Sequence, residues 1–142
     1  MKTKGLMLVA SIAGLLAIAY PTFAHHGAAA YDMSKPVVLK DAVIQQLVWI
    51  NPHPLIKADY KNDKGEIEHW TMEMGSIPSS QLIGWSRTTL KPNDVVTLYV
   101  WQAKTHAPVG RFNKVILADG TTMRDTQTGA DDGGRADTEV GR

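Results

Sequence analysis

Apolar residues recur along the middle of the chain at the spacing of strands. From Val37 to Ile50 nearly every position suits a strand, and apolar groups fall on both alternation sets. Leu39, Val43, Leu47 and Trp49 make one set; Val38, Ile44, Val48 and Ile50 make the other. A long strand that is apolar on both sides fits a coiled strand shared by two sides of a small barrel. Asn51-Pro52-His53-Pro54 stops it, and two prolines around one histidine leave that turn little freedom. Leu55 to Tyr60 reads as a second strand with Ile56, Ala58 and Tyr60 on one face, and residues 61–65 as a hairpin loop. Ile67 to Met74 reads as a third, with Trp70, Met72 and Met74 towards the core and His69, Thr71 and Glu73 towards solvent or a binding face.

Gly75 to Pro78 breaks that strand, and Ser79 to Trp85 is expected as a short helix with a serine cap. A fourth strand is expected over Val95 to Trp101, a loop over 102–111, a fifth strand over Phe112 to Ala118 and a short sixth segment over Thr121 to Arg124. Three strands, a helix and two more strands are the element order of an OB-like fold. The expectation is therefore an all-β domain with one short helix, a small five-stranded OB-like barrel; a β-sandwich or another small barrel is the alternative.

The flanks read differently. Lys2 and Lys4, an apolar run from Leu6 to Tyr20 and the small-residue site Thr22-Phe23-Ala24 form the pattern of a cleaved export signal over residues 1–24, with an uncleaved anchor as the alternative. Residues 25–36 then form an N-terminal arm and 37–124 the barrel. From Asp125 to residue 142 the chain is Gly, Asp, Thr and Arg with almost nothing apolar, which reads as a disordered tail. The expected location is the periplasm, with membrane contact only through the signal before cleavage.

Charge and composition narrow the chemistry. Removing Lys2 and Lys4 leaves 13 of the 15 basic residues against 14 acidic ones, a formal charge of −1. A near-neutral chain is no electrostatic trap for nucleic acid. The chain has no cysteine, so neither disulfides nor a thiolate metal site enter. No nucleophile elbow, phosphate loop or close pair of carboxylates on a rigid element marks it as an enzyme.

Cleavage after Ala24 makes His25 the first residue, followed by His26. An amino-terminal histidine offers its α-amine, with a reference pKa of about 7.7–8, and its imidazole from one residue. With one further imidazole these form an N3 set suited to Cu(II). His53 is the first choice for that imidazole, with His26 and His106 in reserve; in an OB-type barrel the loops holding His53 and His106 flank one binding face. His69 reads as a cross-strand hydrogen-bonding group, and Met72 and Met74 as core fillers. Trp70 and Trp85 read as buried. Trp49, Asn51 and Trp101 are candidates for a ligand surface.

With these residues in hand, the chain resembles a family of small exported bacterial proteins classed as a domain of unknown function. The resemblance rests on His25-His26-Gly27, Tyr31-Asp32, Lys35-Pro36, Trp49-Ile50-Asn51-Pro52-His53, Gly75-Ser76, Gly84-Trp85, Leu90 to Asp94 and Ala118-Asp119-Gly120. Asn93 stands where the family usually has Gly, a swap a turn tolerates because Asn also reaches positive φ. The resemblance implies export and a small β-barrel, and supplies no activity. Two functions follow from the residues: a periplasmic copper-binding domain, or a metal-free module that recognises a small ligand or a partner protein through its loop face.

Overall fold

A computed structural model describes residues 30–125. The proposed signal, His25, His26 and the chain beyond Asp125 lie outside those residues. The elements are β1 (Val37–Val48), β2 (Leu55–Lys61), β3 (Ile67–Glu73), α1 (Ile77–Leu82), β4 (Val95–Gln102), β5 (Val109–Ile116) and β6 (Thr122–Arg124). β1 pairs antiparallel with both β2 and β4, β2 with β3, and β4 with β5. A parallel pairing of β3 with β5 closes the ring. The strand circuit β1-β2-β3-β5-β4 is that of an OB-like barrel, with β6 added against β5.

The core follows the alternation. Ile56 and Ala58 of β2, Trp70 and Met72 of β3 with Met74 just beyond it, and Val96, Leu98 and Val100 of β4 are all buried. Phe112 of β5 meets Trp85 edge to face, ring centroids 5.4 Å apart at 88°. The Trp85 indole N–H donates to the Arg124 carbonyl at 2.7 Å, so β6 caps the same side of the core.

Four local departures have physical reasons. In β1 the buried positions are Leu39, Ala42 and Ile44 rather than one strict alternation set, because the register with β4 shifts between Leu39 and Ala42, where Asp41 has φ 56. That bulge rotates the strand so that a single chain serves two sides of the barrel. The helix begins earlier than Ser79: Ser76 is its N-cap, Pro78 lies in its first turn, and it ends before Gly84 at φ 94. β5 begins at Val109, not Phe112, because Val109, Gly110 and Arg111 pair with Thr71, Met72 and Glu73. A Cβ at Gly110 would lie 2.5 Å from the Trp101 carbonyl oxygen, so the glycine read as loop is what lets β5 cross β4 closely.

The fourth departure is at Asp125 itself. Asp125 is only 2% exposed. Its Oδ1 accepts the Gly75 N–H at 2.6 Å and its Oδ2 accepts from Arg111 Nη2 at 3.2 Å. A composition argument averages over the polar stretch and misses one carboxylate that two distant donors draw into the fold.

Candidate functional site

The chemistry gathers where the barrel closes. Leu55, Glu73, Arg111 and Trp101 occupy one rung across β2, β3, β5 and β4. Their side chains alternate with the buried Met72, Val100 and Phe112, so Glu73, Arg111 and Trp101 lie on the face away from the core.

His53 stands just past this rung, and the ladder explains its position. The β2–β3 register pairs Leu55 with Glu73, so the next pair is Pro54 with Met74. The Met74 N–H reaches the Pro54 carbonyl at 2.9 Å, but proline has no N–H to return to the Met74 carbonyl. The His53 ring supplies that donor: Nδ1 lies 3.1 Å from the Met74 oxygen. A carbonyl only accepts, so Nδ1 carries the proton and, in the neutral ring, the lone pair sits on Nε2. The His53 side chain keeps 32% of its surface exposed, Pro54 beneath it is buried, and the Asn51–Pro52 peptide bond before it is cis.

One carboxylate stands beside this imidazole. Glu73 Oε1 lies 4.0 Å from His53 Nδ1. Arg111, beside Glu73 on the rung, donates to Asp125. Two carboxylates, Glu73 and Asp125, therefore flank this guanidinium. Tyr31 belongs to this corner as well: burial first, then the charge of Glu73, push its phenol above the ordinary value, while Arg111 pulls the other way.

Tyr31 arrives on the arm. It bridges Ala103, Asp32 donates its N–H to the Gln102 carbonyl at 2.8 Å, and the Ala30 carbonyl accepts from Lys104 at 3.1 Å. The arm therefore runs antiparallel to the end of β4, filling the edge that β1 leaves beyond Val100.

The other candidates are spread out. His106 is exposed at φ 60 in the loop between β4 and β5. The Thr71 N–H bonds Pro108 of that loop, whereas His53 bonds Met74, so the two histidines lie on opposite sides of the Glu73–Arg111 rung instead of facing one another. Among the described residues no group of three His, Asp or Glu side chains is arranged to hold a metal ion. Trp101, expected at an open ligand surface, is 4% exposed, so its ring is no stacking platform; its indole N–H meets no partner among the described residues. Trp49 packs half-buried against the core, and Asn51 is exposed at the turn. His69 Nδ1 meets Asp59 at 2.6 Å across β2 and β3, the cross-strand contact expected of it.

Elsewhere, an open cleft of ≈ 290 Å³ is lined by Thr89, Asp94, Val95, Val96, Leu117 and Asp119 among others. Its two carboxylates already accept the backbone N–H groups of Lys91 and Thr121.

Sequence reasoning found His53 from its two prolines and missed Tyr31, Arg111 and Asp125, with Glu73 marked only as a face position. The one available signal was alternation: Glu73 is polar between Met72 and Met74, and so on the outer face of a strand.

Comparison with curated proteins and with solved structures finds no match. A family model does match, over residues 12–111, which span the barrel from before the arm to the closing rung and hold both His53 and Glu73. The chain belongs to that family, DUF6152, a family of unknown function.

Proposed function

We propose that this is an exported protein whose mature form, beginning at His25, binds one Cu(II) through the α-amine and imidazole of His25 together with Nε2 of His53. The observation that carries the reading is the bond from His53 Nδ1 to the Met74 carbonyl. It commits the ring to the tautomer whose Nε2 can donate to a metal, and it holds the ring's orientation before any metal arrives. The Glu73 carboxylate, 4.0 Å from Nδ1, places a negative charge beside the ring, which favours a cation there. Ala30 is five steps along the chain from His25, a reach of at most about 18 Å from the point where the arm is tied to β4. His26 and His106 are the reserve ligands on the arm side. The activity is binding, in the periplasm, with no chemical step assigned.

A second reading has its own observation. His53 has a structural task in the ladder whether or not metal binds, and Ile50, half exposed beside the exposed Asn51, would then mark a loop face for a small ligand or a periplasmic partner protein.

The test uses protein exported through its own signal. Intact mass reports the first residue, and Cu(II) titration against a competing chelator reports the site. The expected result is a mass beginning at His25 and one tight equivalent, lost when one alanine is inserted before His25 and weakened at least a hundredfold in His53→Ala. A different first residue, or copper binding that ignores both changes, overturns the copper reading and leaves the loop face as the candidate.

A further inference from the structure

We infer that Glu73 is a positioning residue for His53, a carboxylate set behind the ring nitrogen that faces away from the metal; this deepens the proposed copper site and rests on it. Three observations support this. Glu73 Oε1 is 4.0 Å from His53 Nδ1, the nitrogen whose proton the Met74 carbonyl accepts. Glu73 itself is held on a strand, on the rung that closes the barrel, with Leu55 on one side and Arg111 on the other. Its side chain keeps 20% of its surface exposed, so its field at the imidazole is only partly screened by water.

A histidine that ligates a metal commonly has its second nitrogen bonded to a carbonyl or a carboxylate, which fixes the tautomer and raises the donor strength of the ligating nitrogen. Here the two jobs are divided. The Met74 carbonyl takes the proton bond and fixes the tautomer. The Glu73 charge, just beyond hydrogen-bond distance, adds electron density at Nε2 and discourages the ring from turning its lone pair inward. Arg111 is the cross-strand partner of Glu73, and the Tyr31 phenol is near enough to feel the Glu73 charge.

Partners of this kind typically contribute a factor of about 10–100 in metal affinity, and the 4.0 Å separation puts Glu73 at the lower end, about tenfold. The variants are Glu73→Gln, which keeps the shape and removes the charge, and Glu73→Asp, which keeps the charge. The first readout is Cu(II) affinity by chelator competition on exported protein. The second is the ¹⁵N chemical shift of the two His53 ring nitrogens in the metal-free protein, which a merely structural role for Glu73 would not move. Urea midpoints of the variants confirm that the barrel is intact.

The expected result is a roughly tenfold loss of affinity in Glu73→Gln, recovery to within about threefold in Glu73→Asp, and displaced His53 ring shifts in Glu73→Gln alone. If native protein binds copper and Glu73→Gln binds it equally well, the inference is overturned while the copper site stands. If native protein binds no copper, the proposed function fails and the ring shifts decide: displacement in Glu73→Gln keeps Glu73 as the group that sets His53, and unchanged shifts overturn that too.

Discussion

Replacing Asp125 by alanine tests whether the last described residue of the chain belongs to the fold. Its carboxylate is 2% exposed and ties the turn after β3 to β5, accepting from the Gly75 N–H at 2.6 Å and from Arg111 at 3.2 Å. Alanine leaves the buried Gly75 N–H without that acceptor, at about 1–3 kcal/mol. It also strips Arg111 of its carboxylate. Breaking a buried ion pair costs about 3–5 kcal/mol, but Arg111 keeps 19% exposure and has Glu73 beside it, so the lower half of that range is excessive here. About 3 kcal/mol for both losses is the working figure. With a urea slope of about 2 kcal/mol/M for a domain of this size, the midpoint should fall by about 1.5 M with the slope unchanged. Asp125→Asn keeps an acceptor for Gly75 and loses the charge, and should fall between alanine and the native chain. A drop under about 0.4 M in Asp125→Ala, which is less than about 1 kcal/mol, would refute the claim that this carboxylate fastens the C-terminal end of the barrel.

Two other perturbations follow from the same structure. Gly110→Ala would push a Cβ to within 2.5 Å of both the Trp101 carbonyl oxygen and Val100 Cγ1, so it should destabilise by about 2 kcal/mol and lower the melting temperature by roughly 10 °C; an unchanged melting curve would show that β5 has room at the closing rung. Hydrogen bonds from Asn62 and then Trp70 hold the Glu68 carboxyl below its ordinary range, so its contribution is present above the unfolded-state pKa and is lost as pH falls through the lower folded-state value. Glu68→Gln should therefore flatten the decline of the urea midpoint on acidification below about pH 4, and an identical slope in the variant would assign that decline to other carboxylates.

How much of this was legible in the chain differs element by element. Alternation over Ile67 to Met74 gave the buried face of β3, because Trp70, Met72 and Met74 are spaced two apart with polar neighbours. The order of elements gave the barrel circuit. What alternation could not give was the twist inside β1, since the positive φ at Asp41 is a backbone choice that no side-chain pattern announces. The start of β5 was hidden for a related reason: Gly110 and Arg111 look like loop residues until the parallel partner in β3 is known. His53 was visible because prolines on both sides are a local signal. Arg111 and Asp125 became site residues only through pairings that span 14 and 50 positions, which composition and spacing do not encode. Trp101 shows the same limit from the other side, a large ring on the outer face of β4 that is nonetheless buried.

The position of His53 traces back to Pro54. A residue with an N–H at 54 would close the ladder onto the Met74 carbonyl by itself, and the histidine beside it would be an ordinary turn residue, free to rotate. Proline removes that donor, leaves a backbone acceptor at the end of β3, and so recruits the imidazole through Nδ1. The rung that follows carries Glu73 and Arg111 and is also the one that closes the barrel, so the backbone beneath both side chains is held by the β3–β5 seam. Glu73 is thus carried by the barrel itself, and His53 is tied to it by the bond to the Met74 carbonyl. The arm is attached otherwise, through a single bridge at Tyr31 and the backbone bonds of Ala30 and Asp32 to the end of β4. A site made of both would have one half preformed and one half tethered. Its affinity would then depend on how much ordering the tethered half must undergo when a metal joins the two.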